Sequence, residues 1–263
     1  MRQIKINDTM IGDEKVKICV PISACDFSEL EAELEYAFNN PCDIIELRYD
    51  YFTAIISEQC DAYKQRHTGN VLSEIKKKQE EFKKQNKMKR DKLTLFTFRT
   101  KLEGGLGTDA NDEYYNINEQ AILSGQIDIV DVEFTKDQSL VDRLIKLAHE
   151  HDVKVIISKH YFEKSLSKDE QIELLMRMQE TGADILKLAT MVSDEKTALD
   201  VISAAKEMFE KHAKAPFVTI GMGEYGKITR YIEPFYGSAI TYAKGLKATA
   251  PGQMSVSELL GEV

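Results

Sequence analysis

Short apolar runs alternate with longer segments of helical periodicity along the whole chain. Eight of these runs are rich in Val, Ile and Phe and have the length of buried β-strands. They cover residues 16–23, 44–49, 93–99, 127–134, 153–159, 185–189, 217–221 and 239–243. Strands separated by helices indicate repeated βα units around a parallel sheet, and eight such strands close a barrel. The pattern therefore predicts a (β/α)8 TIM barrel.

The segments between the strands carry signals for helix starts. Ser28 with Glu31, and Ser167 with Glu170, have the spacing of capping boxes. Leucines recur at spacings of three and four within residues 139–149, so this segment presents one apolar face to the barrel. These signals favour helices packed around the outside of the sheet.

Two regions do not fit the simple alternation. The first fourteen residues contain Ile4, Ile6 and a turn-like Asn7-Asp8 pair, and we predict a hairpin that closes the bottom of the barrel. Residues 53–92 form a long, charged connection whose helix boundaries the sequence does not define. In residues 74–92 the lysines are interleaved with glutamates, and apolar residues recur at Val71, Ile75 and Phe82, which is typical of a solvated helix face rather than a nucleic-acid site.

Composition favours one domain over residues 1–263. Of the 263 residues 43% are hydrophobic, enough to bury a sizeable core. With 35 basic and 44 acidic residues the formal net charge is -9, which argues against a general affinity for nucleic acids or anionic membranes. The sequence shows no signal-peptide pattern and no apolar window of membrane-spanning length, so we predict a cytoplasmic protein.

The cysteines give no sign of a metal site. Their spacings contain no CxxC pair, and one of them lies inside an apolar strand, where a free thiol packs as a small hydrophobic group. The four are Cys19, Cys25, Cys42 and Cys60. We therefore expect neither a disulfide framework nor a zinc site, and no other metal or cofactor.

Polar residues follow most of the predicted strands, at the end of the barrel where active sites of this fold are built. The candidate site residues are Glu46, Arg48, Arg99, Glu103, His160, Lys187, Arg230, Thr249 and Gln253. Because side chains alternate along a strand, Glu46 and Arg48 share the inward face, while the intervening apolar residues face the helices.

Lys187 is the most informative of these candidates. It lies between two leucines of the sixth predicted strand, so alternation points it into the barrel. A buried ammonium is unfavourable unless it is paired or loses its proton, and neighbouring arginines favour the neutral amine. That amine is the nucleophile of Schiff-base chemistry. A lysine held only by an ion pair to Glu46 or Glu133 is the alternative, and the local sequence does not decide between them.

His160 ends an apolar strand and is a candidate general acid and base, with Glu103 as the group that could orient its ring. A purely structural histidine is the alternative. Arg48, Arg99 and Arg230 suggest an anionic, hydroxyl-rich substrate, because a guanidinium binds carboxylates in a bidentate manner and donates to hydroxyls. A small carboxylated polyol fits this set better than a lipid does.

Residues 221–226 match the pattern G-x-G-x-x-G after the seventh predicted strand. A dinucleotide site normally places this pattern in an opening βαβ unit, so the match is weak here. A phosphate-binding loop at this position of a barrel is the stronger alternative. Neither interpretation accounts for Lys187 together with His160.

With these residues in place, the chain resembles the type I 3-dehydroquinate dehydratases over essentially its whole length. Five motifs in the same order carry the resemblance: residues 46–50 (ELRYD), 96–105 (FTFRTKLEGG), 158–162 (SKHYF), 182–187 (GADILK), and 236–239 (YGSA) followed by 250–253 (APGQ). Each motif alone is weak, but their order and spacing together are specific.

The resemblance implies a mechanism. Lys187 would form an imine with the C3 ketone of 3-dehydroquinate, which makes the C2 proton acidic. His160, held by Glu103, would remove that proton and then protonate the departing C1 hydroxyl, giving 3-dehydroshikimate and water. The reaction belongs to the shikimate pathway of aromatic amino acid biosynthesis and uses no cofactor.

The resemblance also assigns the binding residues. Arg230 and Gln253 would hold the substrate carboxylate, and Glu46, Arg48 and Arg99 would bind the ring hydroxyls. Thr249 replaces a serine that is frequent in the family, and its loop would form a lid over the substrate. The family implies a homodimer with a small-molecule substrate and neither nucleic acid nor membrane as a partner. We expect no fused shikimate dehydrogenase domain.

Two other functions compete with this interpretation. A class I aldolase also uses a barrel lysine as a Schiff base but cleaves a carbon–carbon bond, often in phosphorylated sugars. The weak phosphate signal and the position of His160 favour dehydration. A non-catalytic barrel that senses a small acid would not need Lys187, so the lysine argues against that alternative.

Overall fold

The chain forms an eight-stranded parallel barrel. The computed structural model describes residues 3–54, 61–85, 91–231 and 238–261. Within them the strands are β1 Ile4–Ile6, β2 Thr9–Ile11, β3 Lys17–Ile22, β4 Ile44–Arg48, β5 Leu93–Thr97, β6 Ile129–Glu133, β7 Lys154–Tyr161, β8 Ile185–Met191, β9 Phe217–Met222 and β10 Ile240–Tyr242. The large sheet has the order β10-β3-β4-β5-β6-β7-β8-β9 with parallel pairing throughout. All eight predicted barrel strands are thus confirmed.

Side-chain and backbone bonds join β9 to β10 and bring the two ends of the sheet together. The backbone amide of Ala239 donates to the carbonyl of Phe217 at 2.8 Å. The Ser238 hydroxyl accepts from the amide of Thr219 at 2.9 Å and donates to its carbonyl at 3.1 Å. These bonds complete the barrel beside the last strand.

Helices surround the barrel as predicted. They are α1 Phe27–Asn39, α2 Tyr49–Ala54, α3 Asp61–Lys84, α4 Asn111–Leu123, α5 Gln138–Glu150, α6 Lys168–Gln179, α7 Glu195–Glu207 and α8 Val256–Leu260, with short 3-10 helices Lys101–Glu103 and Tyr225–Arg230 and a π-helical turn Met208–His212. Within the part of the chain that the structure describes, no helix is long and apolar enough to span a membrane.

The two predicted capping boxes have different outcomes. Ser167 and Glu170 form one, with both reciprocal bonds present. The box predicted for Ser28 and Glu31 is wrong. The helix begins one residue before Ser28, and the extended Asp26 is its N-cap, whose carboxylate accepts from the amide of Glu29 at 2.8 Å. A carboxylate already in capping position fixed the start upstream of the serine.

The strands separate an outer apolar layer from an inner one. Alternate residues such as Leu186 and Leu188 pack outward with the helices, while Ile185 and Ala189 point inward. Inward apolar side chains fill the lower half of the barrel. The polar residues near the C-terminal strand ends therefore lie above an apolar layer. This is the layered interior expected of the fold.

The N-terminal hairpin closes the bottom of the barrel, as predicted. Strands β1 and β2 pair antiparallel, and Ile6 and Ile11 are buried in the same cluster as the inward residues at the starts of the barrel strands. The Asn7 amide donates to the Asp128 carboxylate at 2.7 Å and fixes the hairpin to the loop before β6.

The charged connection across residues 53–92 contains the long helix α3. Val71, Leu72, Ile75 and Phe82 are buried, and the intervening lysines and glutamates face outward or lie at the edge. The prediction of a solvated helix face is confirmed for this stretch. Cys60 and residues 86–90 lie outside the described residues.

Candidate active site

One cavity at the C-terminal ends of the strands brings together all nine predicted site residues. The space within it is about 510 Å³ when its open mouth is included. The apolar side chains around it come from β7, β8, β9 and β10 and the segments that follow them. Its lining is Glu46, Arg48, Arg99, Glu103, Gly104, His160, Phe162, Lys187, Ala189, Ile220, Met222, Arg230, Tyr242, Thr249, Ala250 and Gln253.

Lys187 projects from β8 into the centre of this cavity and is 5% exposed. Its Nζ lies 3.7 Å from Oδ2 of Asp131 and 3.9 Å from Oε1 of Glu46, beyond ordinary hydrogen-bond distance. The ring of Tyr242 is centred 4.1 Å from the same nitrogen. Of the two ion pairs considered from the sequence, the one with Glu46 is present at this longer distance and the one with Glu133 is absent from the described residues. Lys187 is thus surrounded by negative charge without being tied to one carboxylate.

Glu133 instead forms an ion pair with Arg99. Its carboxylate accepts from Nη1 of Arg99 at 3.1 Å and from the Thr100 amide at 2.8 Å. Nη2 of Arg99 donates to Asp131 at 2.8 Å, and Nη1 also donates to Ser158 at 2.9 Å. These ion pairs outweigh burial and raise the pKa of Arg99 above its usual value. Arg99 therefore orients a buried carboxylate pair as well as lining the cavity.

Asp131 links this network to the lysine. It accepts from Ser158 at 2.6 Å as well as from Arg99. Burial alone would raise the pKa of Asp131, but the positive charges of Arg99 and Lys187 lower it. The sequence analysis did not select Asp131 or Ser158, although their inward alternation with Glu133 and His160 was a usable signal.

Two further predicted residues, Glu46 and Arg48, lie on strand β4, and hydrogen bonds to neighbouring side chains hold each of them in place. Glu46 accepts from the hydroxyl of Thr97 at 2.9 Å. Arg48 makes a bidentate pair with Asp50, with Nε to Oδ1 and Nη2 to Oδ2 both at 2.8 Å. The fork geometry fixes the guanidinium plane at the cavity wall.

His160 and Glu103 are hydrogen-bonded to each other, which is the contact that the sequence analysis predicted. Nδ1 of His160 lies 3.0 Å from Oε2 of Glu103, and the His160 backbone amide donates to the same oxygen at 3.1 Å. The other oxygen accepts from Thr135 at 2.5 Å and from Lys159 at 3.2 Å. Both residues of the pair are therefore fixed by several bonds.

Electrostatics decides the protonation states of this pair. Burial would raise the pKa of Glu103, but the bond to His160 and the charges of Arg99 and Lys159 lower it to about 2. Burial, followed by the charge of Arg99, lowers the pKa of His160 to about 3. Because an ionised carboxylate only accepts, Nδ1 carries the proton and Nε2 is left with a free lone pair, as a general base requires.

Arg230 is a buried cation without a carboxylate partner among the described residues. Its guanidinium donates to the carbonyls of Tyr242 at 3.4 Å and Pro251 at 3.2 Å, and its Nε has no partner. Burial lowers the pKa of Arg230 to about 10. A desolvated, unpaired guanidinium facing a cavity is well suited to receive the carboxylate of a ligand.

Thr249 and Gln253 face the same cavity from the loop before α8. Gln253 Nε2 donates to the Thr249 hydroxyl at 3.1 Å. The backbone amides of Thr249 and Ala250 donate to Gln253 Oε1 at 2.6 and 3.2 Å. The two side chains therefore orient each other at the edge of the site.

The glycines of residues 221–226 allow close packing. A Cβ on Gly226 would clash with the carbonyl of Gly221, and one on Gly252 would clash with the carbonyl of Gly223. Because these glycines have no Cβ, the 3-10 helix and the loop bearing Gln253 can pack against the end of β9. Packing thus accounts for this glycine pattern without a phosphate ligand.

Three further predictions from the sequence concern metal ions, thiols and the fifth motif. Among the described residues, no group of three or more His, Cys, Asp or Glu side chains is arranged to hold a metal ion. Cys19, Cys25 and Cys42 are free thiols. Tyr236 and Gly237 of the fifth motif lie outside the described residues.

Comparison with known proteins gives consistent matches over nearly the whole chain. A model of the family described as type I 3-dehydroquinase matches residues 18–261. The 3-dehydroquinate dehydratases of Clostridium novyi and Syntrophotalea carbinolica are 34% and 36% identical, each alignment covering 98% of this chain and 96% of the relative. The crystal structure of a type I 3-dehydroquinate dehydratase from Clostridium difficile with covalently modified comenic acid has a TM-score of 0.87 at 34% identity, covering 99% of this chain and 95% of that one.

Proposed function

The chain belongs to the type I 3-dehydroquinase family, and we infer that it is a hydro-lyase that converts 3-dehydroquinate into 3-dehydroshikimate and water in the shikimate pathway. The observation that carries this inference is the placement of Lys187 and His160 on neighbouring strands in one cavity. Within the described residues, Lys187 is buried without a hydrogen-bonded carboxylate and Nε2 of His160 has no hydrogen-bond partner.

Imine formation begins at Lys187. Nζ releases one proton to become the neutral amine, which attacks the C3 ketone. The hydroxyl of the resulting carbinolamine takes up one proton and leaves as water, which gives an iminium. The iminium withdraws electrons from C2, so the C2 proton becomes acidic enough for a histidine to remove. The carboxylates of Asp131 and Glu46 lie 3.7 and 3.9 Å from Nζ and balance the positive charge that the nitrogen carries in this state.

Elimination follows at the next carbon. Nε2 of His160 accepts the C2 proton, and the electron pair left behind forms the enamine. Collapse of the enamine expels the C1 hydroxyl, which takes the same proton from His160 and leaves as water. Attack of a second water on the iminium then releases 3-dehydroshikimate and frees Lys187. Glu103 keeps the imidazole oriented through both transfers.

The binding residues divide between the two ends of the substrate. Arg230, a cation without an anionic partner in the described structure, receives the carboxylate together with the Gln253 amide. Glu46 and Arg48, fixed by Thr97 and Asp50, bind the ring hydroxyls. Arg99 contributes to the same side but keeps its ion pairs with Asp131 and Glu133.

Reductive trapping tests this function. The protein is incubated with 3-dehydroquinate and sodium borohydride, and the adduct is located by intact and peptide mass spectrometry. We expect one adduct on the Lys187 peptide and none in Lys187→Ala. Lys17→Ala is the matched control, since Lys17 is also 5% exposed but pairs with Asp13 near the opposite end of the barrel. A folded wild-type protein without an adduct would contradict the mechanism.

The same experiment separates the class I aldolase from the dehydratase. Borohydride would trap a Schiff base in either enzyme. Only the dehydratase converts 3-dehydroquinate into a conjugated product without carbon–carbon cleavage. Product analysis by mass spectrometry, showing the loss of one water and no fragment, supports dehydration. The packing role of the glycines in residues 221–226 also removes the sequence argument for a phosphorylated substrate.

The proposal extends to the assembly. Residues 1–263 act as one catalytic domain, two copies form a homodimer, and the enzyme works in the cytoplasm on a small-molecule substrate. Light scattering coupled to size exclusion tests the dimer directly. A mass of one chain at all concentrations would contradict it, and activity at that mass would show that each barrel is catalytically complete.

A further inference from the structure

Tyr242 contacts the reactive lysine, yet none of the roles assigned above uses it. It lies on β10 with an inward side chain that is 4% exposed, and it lines the cavity. The centre of its ring is 4.1 Å from Nζ of Lys187. This distance is within the range of cation–π contacts, and both groups are desolvated.

The contact matters because of what Nζ must do with its protons. The ammonium has three N–H bonds, and the iminium formed with a ketone has one. A carboxylate at hydrogen-bond distance would hold the protons that must leave. The nearest carboxylate oxygens are at 3.7 and 3.9 Å instead. A ring face attracts the cation without binding a particular proton, so it holds the nitrogen equally well as ammonium and as iminium.

The Tyr242 hydroxyl is a second unusual feature. Its Oη is buried and has no hydrogen-bond partner among the described residues. Burial, with added repulsion from Cys19, Glu46 and Asp131, raises the pKa of Tyr242 well above its usual value, so the group remains a neutral donor. A buried donor without a partner is unfavourable, and an oxygen that arrives in the cavity relieves this.

We propose that Tyr242 is a positioning residue for Lys187, holding Nζ against its ring face during imine formation, and that its hydroxyl donates to an oxygen of the bound substrate. This inference rests on the proposed function and deepens it. It adds one uncharged donor to a site whose other polar groups are mostly charged.

Three variants separate the ring from the hydroxyl. Tyr242→Phe keeps the ring and removes the hydroxyl. Tyr242→Leu removes both, and Tyr242→Met does the same with a longer, adaptable side chain that fills more of the space. Tyr49→Phe is the matched control, because Tyr49 is buried outside the cavity and its hydroxyl accepts from Thr68 at 2.9 Å. Thermal unfolding of each variant establishes that it is folded.

The measurements are the single-turnover rate of borohydride-trapped adduct formation, together with kcat and KM. We expect Tyr242→Leu and Tyr242→Met to trap the adduct about ten- to thirty-fold more slowly than wild type, because Nζ is no longer held in place for attack on the ketone. Tyr242→Phe should trap at the wild-type rate but show a KM about five-fold higher, the factor of one lost hydrogen bond. Tyr49→Phe should lower only the unfolding temperature.

The outcomes that overturn the inference are distinct. Wild-type trapping rates in folded Tyr242→Leu or Tyr242→Met overturn the positioning role. A wild-type KM in Tyr242→Phe overturns the hydroxyl contact. If the wild-type protein itself forms no adduct, the proposed function fails and this inference fails with it, whereas a wild-type adduct with unchanged variants overturns the role of Tyr242 alone.

Discussion

Oε2 of Glu103 is shared by two nitrogens of His160: Nδ1 lies 3.0 Å away and the backbone amide 3.1 Å away. The ring and the main chain of the histidine are therefore held by one oxygen atom. Since the pKa of Glu103 is lowered to about 2, this oxygen is anionic at neutral pH and can only accept. The pair thus defines both the tautomer and the orientation of His160, the proposed catalytic base.

Replacing Glu103 by glutamine tests this relationship. A glutamine amide can donate to Nδ1, which would place the ring proton on Nε2 and remove the lone pair that accepts the C2 proton. We expect kcat of Glu103→Gln to fall by about 10²–10³, the usual contribution of a general base, with KM changed much less. Steady-state kinetics on the purified variant provides the measurement.

Thr135→Val is the control for Glu103→Gln. It removes one bond to the other oxygen of Glu103, which also receives Lys159, and leaves the charge of the carboxylate intact. We expect its kcat to stay within about five-fold of wild type. If the two variants lost activity equally, packing around Glu103 rather than its control of the tautomer would explain the effect.

His160 also predicts how stability depends on pH. Its pKa in the folded protein is lowered to about 3 by burial and by Arg99. Below about pH 6.5 the unfolded chain binds a proton on this histidine while the folded chain does not, so the free energy of unfolding falls as the pH falls. The decline from this residue continues until the pH reaches the folded pKa.

Urea unfolding of wild type and His160→Gln at about pH 7 and about pH 5 measures this contribution. The other four histidines are common to both proteins and cancel in the comparison. We expect the wild type to lose up to about 1.4 kcal/mol more per pH unit than the variant. Equal slopes would show that His160 takes up its proton as readily in the folded protein as in the unfolded chain.

Arg230 and Arg99 predict opposite effects of the same substitution. Arg99 has carboxylate partners in Asp131 and Glu133, so Arg99→Met leaves buried anions unpaired and should destabilise the fold by about 3–5 kcal/mol. Arg230 has no such partner in the described structure, so Arg230→Met removes a buried unpaired cation. We expect it to unfold at the wild-type temperature or above.

The kinetic part of this comparison concerns Arg230 alone. Loss of the charge that receives the substrate carboxylate should raise KM by about 100-fold, since charge-assisted bonds are about twice as strong as neutral ones. Thermal unfolding and steady-state kinetics on both variants give the result. If Arg230→Met and Arg99→Met destabilised the fold equally, Arg230 would have a structural role that its hydrogen bonds to the two carbonyls do not explain.

These arginines also show what the sequence could and could not predict. Strand periodicity placed Glu46, Arg48 and Lys187 on the inward face, and the structure agrees because the period of two is a property of every strand. Whether an inward arginine is paired depends on which carboxylates neighbouring strands present at the same height. Asp131, which pairs with Arg99, comes from a strand about thirty residues away, and no local pattern identifies that contact.

The helix starts show the same limit. The box at Ser167 was predictable because both of its bonds are local. At α1 the N-cap is Asp26, two residues before the Ser28 that the sequence analysis selected. The unpartnered hydroxyl of Tyr242 was beyond prediction for another reason, since the absence of a partner is a property of the whole cavity.

Thr249 provides the last prediction. Its hydroxyl accepts from Gln253 Nε2 at 3.1 Å, and the backbone amides of Thr249 and Ala250 hold the other end of that amide through Oε1. One hydrogen of Nε2 is thereby used, and the second remains for the substrate carboxylate. The hydroxyl, rather than the methyl group, is the part of Thr249 that orients Gln253.

Two substitutions separate these parts. Thr249→Ser keeps the hydroxyl, and its kcat and KM should stay within about two-fold of wild type. Thr249→Val keeps the shape and removes the acceptor, so the Gln253 amide loses one of its bonds and KM should rise about five-fold while kcat changes less. Steady-state kinetics on the two variants makes the test. If Thr249→Val matched Thr249→Ser, the backbone amides alone would be sufficient to orient Gln253, and the hydroxyl would have no part in binding.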